Sequence, residues 1–182
     1  MLNRLTISTL FTLCFGLTAC GGGGNGGTGT TNDSTLNTNA ALLGERLFSD
    51  TRLSFSQTQS CATCHNPDKG FIDDRDNGIA GAVSLGHDQI TLGNRNSPTV
   101  AYASLTPDFI GNNQNARGGQ FLDGRASNLT DQAGQPLLNP AEMGMPDRAS
   151  VIERLVAVPE YVAAFEAIYG VDVLVNTETA FA

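Results

Sequence analysis

Cys61-Ala62-Thr63-Cys64-His65 limits what this chain can fold into more than any other feature. C-x-x-C-H is the attachment signal of a c-type haem. Two thiols one helical turn apart meet the two vinyl groups on one porphyrin edge and form thioethers. The next residue, His65, then lies under the ring and ligates the iron. A covalent haem also supplies a large apolar body, which lets a loop-rich chain fold around it. The competing readings are a redox disulfide, half of a structural zinc site, and coincidence. A thioredoxin-like pair needs a surrounding βαβ pattern, which is absent. A zinc site needs two further ligands, and His87 is the one other histidine.

Export suits this reading, because haem c is attached outside the cytoplasm. Arg4 is the only charge before Asp33, and Leu5 to Leu17 is an apolar stretch of signal-peptide length. It ends at Leu17-Thr18-Ala19-Cys20, which resembles a bacterial lipobox in which a lipidated Cys20 becomes the first mature residue. A plain secretory signal cut nearby is the other possibility, and Cys14 is discarded with the signal in both cases. No acidic residue directly follows Cys20, which favours an outer-membrane anchor. Residues 21–40 are rich in Gly, Asn and Thr and nearly free of apolar side chains, which predicts a flexible tether. A glycine-rich phosphate loop is excluded there, since no strand precedes it and no Lys-Ser/Thr follows.

The rest of the composition suits one domain. The chain has 182 residues, of which 40% are hydrophobic, enough for one core once a targeting segment is removed. Ten basic against 18 acidic residues leave a net charge of -8, and Lys69 is the only lysine. This argues against a nucleic-acid binder, which needs a basic surface to neutralise phosphates. Beyond the N-terminus no apolar run reaches the roughly 18–20 residues of a membrane span.

The organisation expected is a lipoprotein-type signal over 1–19, the tether over 20–40, a mainly α, cytochrome c-like haem domain over 41–176, and a helix start over 177–182. Leu42, Leu43, Leu47 and Phe48 recur at helical spacing. The stretch from Asn66 to Gln120 is rich in Gly, Asn, Asp and Pro and predicts long loops wrapping the haem. Ser127 or Asn128 caps a helix through Leu129 and Gln132. Ser150 and Glu153 make a capping box for a helix to about Val158. Pro159 suits the first turn of another, with Val162, Phe165, Ile168 and Tyr169 as its stripe and Gly170 as its stop. Thr177 or Asn176 caps the final segment. No strand pattern and no internal repeat stands out.

From Leu43 to Gly170 the chain resembles the N-terminal half of bacterial di-haem cytochrome c peroxidases and their MauG-like relatives. The matching pieces are Gly44-Glu45-Arg46-Leu47-Phe48, Ser60 to His65, Gly70-Phe71, Arg95-Asn96-Ser97-Pro98-Thr99, Phe121-Leu122-Asp123-Gly124-Arg125-Ala126, Asp131-Gln132-Ala133, Pro140-Ala141-Glu142-Met143 and Pro159-Glu160-Tyr161. The resemblance implies that Cys61 and Cys64 hold the peroxidatic haem, with His65 as proximal ligand. It implies that His87 is a distal ligand capping the iron in the oxidised resting state and leaving on activation. Glu142 matches the distal acid, Gln132 a neighbour lining the same pocket, and Asn96 a ligand of a calcium ion between two haem domains. The chemistry agrees: splitting hydrogen peroxide moves a proton from one oxygen to the other, and a single carboxylate can carry it. Met143 and Met145 are the alternative axial ligands, though their place after the acid favours packing.

Two departures stand out. Leu122 occupies the place where many members carry a tryptophan between the haems, and a second C-x-x-C-H is absent. The expected function is the peroxidatic domain of a peroxidase. It would be fed by a small donor cytochrome c or cupredoxin through a C-terminal haem domain that follows the helix begun at 177. A homodimer is a further expectation. The alternatives are a mono-haem electron carrier and a MauG-like oxidase of a protein side chain.

Overall fold

The computed structural model describes residues 33–112 and 114–181. The signal segment, Cys14, Cys20 and the tether as far as residue 32 lie outside the described residues.

Six α-helices order the described residues: α1 (Asp33–Phe48), α2 (Cys61–Cys64), α3 (Leu129–Leu138), α4 (Arg148–Val156), α5 (Pro159–Tyr169) and α6 (Thr177–Ala180). The mainly α expectation therefore holds, and among the described residues β pairing is confined to isolated bridges such as Leu85–Leu92 and Ile110–Arg117. The stretch from Asn66 to Gln120 is loop, broken by 3-10 turns at Pro67–Lys69 and Ala103–Leu105.

α1 begins earlier than expected, at Asp33, so the last eight residues assigned to the tether, 33–40, are helical. That segment holds neither glycine nor proline. Nothing in it breaks a helix already anchored downstream, where Leu43 is buried and Leu47 packs on the core.

α3 starts where Asn128 Oδ1 accepts the Asp131 N–H at 3.0 Å, so Asn128 rather than Ser127 is its cap. α4 departs from expectation. Its cap is Asp147, whose Oδ1 takes the Ser150 N–H at 2.8 Å, and the helix runs from Arg148 to Val156. Ser150 therefore lies inside the first turn. Pro146 stops the helix from extending backwards, and the Asp147 carboxylate is a stronger acceptor than the Ser150 hydroxyl. α5 begins with Pro159 and ends at Gly170, whose φ of +102° a side chain would resist. Asn176 Oδ1 accepts the Glu178 N–H at 2.9 Å and opens α6. α6 packs against α4. Arg148 on α4 pairs with Glu178 at 3.3 Å and lies 5.2 Å from the centre of the Phe181 ring.

The core gathers Leu43 from α1, Leu53, Met143 and Met145 from turns, Val151, Ile152 and Leu155 from α4, Tyr161 from α5, and Val173 and Leu174 beyond it. Each such side chain contributes about 1.5–3 kcal/mol on burial. Cys61 packs against the same cluster, so the helix carrying the C-x-x-C-H motif is seated directly on the hydrophobic core.

Candidate active site

Ser60 enters α2 with its N–H donating to Thr63 Oγ1 at 2.9 Å, and the His65 N–H closes the turn on the Cys61 carbonyl at 2.8 Å. One helical turn thus presents two free, half-buried thiols. Burial pushes the Cys61 thiol up to about 11. Burial also raises Cys64, while the nearby Arg75 works the other way. Arg75 Nη2 lies 3.5 Å from Cys64 Sγ, and the same guanidinium grips Asp73 through Nε at 2.8 Å and Nη2 at 2.6 Å. Burial opposes ionisation of Asp73. Bonds from Arg75 and the Ser84 hydroxyl outweigh it and bring the carboxyl to about 2.

His65 Nδ1 faces the carbonyl oxygens of Pro98 at 3.1 Å and Phe71 at 3.3 Å. Carbonyls only accept, so Nδ1 carries a proton, and Nε2 is the ring nitrogen left to act as a ligand. Among the described residues Nε2 has no hydrogen-bond partner. Two free thiols on one turn beside an imidazole with an open nitrogen fit the donor set of a c-type haem. Two buried side-chain amide atoms, Gln59 Oε1 and Gln120 Nε2, also lack partners. Gln59, at 1% exposure, sits just ahead of the motif.

Glu142 lies in the turn after α3. Its N–H bonds the Asn139 carbonyl at 2.9 Å. Its own carbonyl accepts from the His87 N–H at 2.7 Å and from Gln59 Nε2 at 2.5 Å. Its Oε1 accepts from Asn139 Nδ2 at 2.9 Å. Burial raises the carboxyl above its ordinary value, against the pull of Asn139, His65 and Arg125. The carboxyl is thus within electrostatic reach of His65, and both thiols feel its charge in turn.

Gln132 is half-buried on α3, with its N–H bonded to Asn128 at 3.1 Å. Pro136 has no N–H to offer, so the Gln132 carbonyl is released from the helical ladder. Among the described residues no hydrogen bond joins Gln132 to Glu142.

His87 is docked on the Glu142 turn. Ser56 Oγ lies 2.9 Å from its Nδ1, and Phe55 meets its ring edge-on at 5.6 Å. The Thr58 hydroxyl donates to the His87 carbonyl. Gly144 lies under the ring at φ +68°, where a Cβ would overlap it.

Asn96 is exposed, and its Nδ2 donates to the Gly81 carbonyl at 3.4 Å. It borders a shallow groove with Asp74 and Asp76. Among the described residues no three His, Cys, Asp or Glu side chains gather as a metal cluster. Met143 and Met145 are core residues at 4% and 2% exposure. Leu122 is 88% exposed on a turn where it and Phe121 both take positive φ, near +65°. Arg95 and Arg125 both reach Asp123 in that turn, at 3.1 Å and 2.6 Å.

Sequence reasoning missed Asn139, Gln59 and the Asp73–Arg75 pair. Asn139 had a readable signal, an amide residue directly before a proline at a helix end. Gln59 and the Asp73–Arg75 pair had none.

A profile of the family described as di-haem cytochrome c peroxidase matches residues 38–182. The methylamine utilization protein MauG of Paracoccus denitrificans is 52% identical over 142 residues, 78% of this chain and 37% of the relative. The cytochrome c551 peroxidase of Pseudomonas aeruginosa is 40% identical over 123 residues, 68% of this chain and 30% of the relative. Among solved structures, the dihaem peroxidase BthA from Burkholderia thailandensis superposes with a TM-score of 0.72 at 30% identity, covering 82% of this chain and 36% of that one. The chain thus spans 30–37% of the length of these curated relatives.

Proposed function

The chain belongs to the di-haem cytochrome c peroxidase family, and from that premise we propose that it is the peroxidatic haem domain of an enzyme that reduces hydrogen peroxide to water. The observation carrying the proposal is Glu142, a half-buried carboxyl whose burial raises its pKa, within electrostatic reach of His65 and both thiols.

In this reading Cys61 and Cys64 bind haem c and His65 Nε2 is the proximal ligand. Bound there, haem c would supply the iron and redox capacity for peroxide reduction. Glu142 takes a proton from one peroxide oxygen and returns it to the other, and a group held near its working pH does this best. Gln132, one element away on α3, lines the approach. Balanced, one hydrogen peroxide takes up two electrons and two protons and leaves as two waters.

The rest of the proposal concerns the whole protein. The loop from Asn66 to Gln120 wraps the haem. His87 would be a removable ligand of the haem iron, carried on a loop whose backbone is bonded to the Glu142 turn. The Asn96 amide oxygen binds a calcium ion between two haem domains. Electrons come from a small cytochrome c or cupredoxin through a second haem domain. The chain is exported to the periplasm and anchored by lipid at Cys20 in the outer membrane, and it forms a homodimer.

A second reading, oxidation of a protein side chain, is favoured by the 52% identity to the methylamine utilization protein MauG, against 40% to the Pseudomonas peroxidase. Both readings use Glu142. Glu142→Gln in the haem-loaded, full-length protein is expected to slow peroxide consumption by about 10²–10⁴-fold while haem stays attached. Unchanged turnover would remove the acid–base assignment. Peroxide loss matched by oxidation of a donor cytochrome supports the peroxidase, and peroxide loss matched by side-chain oxidation in a partner supports the MauG-like reading.

A further inference from the structure

We propose that Asn139 is a positioning residue for Glu142, its side-chain N–H fixing Oε1 of the acid so that Oε2 is the oxygen that exchanges the proton. The inference rests on the role given to Glu142 above.

The backbone of Glu142 is pinned from both directions. Its N–H is held by the Asn139 carbonyl, and its carbonyl by the His87 N–H and the Gln59 amide. Only the side-chain torsions are left to decide where the carboxyl points. One bond decides them, from Asn139 Nδ2 to Oε1 at 2.9 Å. Among the described residues Oε2 has no partner. The two oxygens therefore differ. One is occupied by a donor that it cannot release without turning the group, and the other is open to accept or give a proton.

Asn139 is itself rigid. As the C-cap of α3 it bonds its N–H to Gln135 at 3.1 Å. Its Oδ1 accepts the Ala141 N–H at 3.0 Å, an Asx turn. Its carbonyl takes the N–H groups of Glu142 and Gly144, each at 2.9 Å. An amide clamped at its oxygen presents its NH₂ in one direction. The carboxyl thus inherits its orientation from the end of a helix, the kind of supporting contact that proton transfer geometry demands.

Asn139 has two separable jobs, an acceptor for the turn and a donor for the acid. Asn139→Ser keeps an acceptor for the Ala141 N–H but is too short to reach Glu142, whereas Asn139→Ala loses both. The haem-loaded, full-length variants are compared by stopped flow in two reactions. Cyanide is mixed with the ferric protein carrying His87→Ala in every variant, so that departure of the proposed His87 cap does not limit the rate; it arrives as hydrogen cyanide and must lose a proton on binding. Carbon monoxide binds the ferrous form with no proton transfer.

The serine and alanine variants are both expected to bind cyanide about 10²-fold more slowly, with carbon monoxide binding and the Soret band unchanged. A serine variant with the wild-type cyanide rate would overturn the proposal and leave Asn139 a turn residue alone. Equal slowing with both ligands would also overturn it, as a general disturbance of the pocket. Glu142→Gln is run alongside: if it binds cyanide at the wild-type rate, the role of Glu142 fails; if it is slow and the serine variant is not, only the role of Asn139 fails. Should the serine variant not retain haem, Asn139→Thr makes the same comparison.

Discussion

The Tyr161 hydroxyl donates a 2.6 Å hydrogen bond to Oδ2 of Asp50, tying α5 to the turn that leaves α1. Both residues are buried, and Arg52 closes on the same carboxylate with Nε at 2.9 Å and Nη2 at 2.8 Å. Burial alone would raise the Asp50 carboxyl; the bonds from Arg52 and Tyr161 more than offset it, and the group is held below its usual value.

Tyr161→Phe keeps the ring in the core and removes the hydroxyl. A hydrogen bond to a charged group contributes about 1.5–3 kcal/mol, so the unfolding free energy in urea is expected to fall by roughly that amount. Haem attachment should be untouched, because the motif helix stands apart from this bond.

Acid should loosen the fold through Asp73. Its folded value, about 2, lies below the ordinary 3.8. The stability it contributes is therefore present above the ordinary value and lost as pH falls through the folded one. Urea midpoints measured between pH 4 and pH 2 are expected to drop more steeply in the wild type than in Asp73→Asn. That variant starts lower at neutral pH, since it leaves Arg75 without its carboxylate beside Cys64. Equal slopes would count against the assignment.

Glu142 has the opposite sign. Burial raises its folded value, so above that value the ionised acid costs stability, and the cost fades as pH falls from it and is gone below the ordinary 4.5. Glu142→Gln is expected to raise the thermal midpoint at neutral pH and leave it unchanged near pH 3. The same change that slows peroxide consumption then makes the protein more stable, a pattern expected of a reactive group held under strain.

Gly144→Ala tests the seat of His87. Alanine must adopt φ +68°, and its Cβ overlaps the imidazole. The expected cost is about 1–3 kcal/mol, read from thermal unfolding. Release of the His87 ring from Ser56 should appear as a changed proton resonance for the imidazole.

Much of the helical frame was readable because its signals are local. Asn128, Pro159 and Gly170 mark helix ends by their own backbone chemistry, and Leu43 and Leu47 share a face by simple period. The start of α4 was misplaced because two good caps stand three residues apart, and only the proline before Asp147 decides between them. The long loop was legible as composition, not as a path. Its turns use Phe71, Ala80, Gln89 and Tyr102 at positive φ, and side chains of these types give no hint of that conformation. At the site, Cys61, Cys64 and His65 declare themselves by spacing within one turn. The proline after Asn139 marks a helix end but not the bond to Glu142, and Gln59 has no signal at all, since no periodicity records a single side-chain bond outside regular structure.

The acid owes its place to the last turn of α3 more than to the long loop. From Asn139 to Met145 the chain is bonded back to Pro136, Leu137 and Asn139 within one small knuckle. Lengthening or reshaping the surrounding loops therefore leaves the turn that carries Glu142 tied to the end of α3.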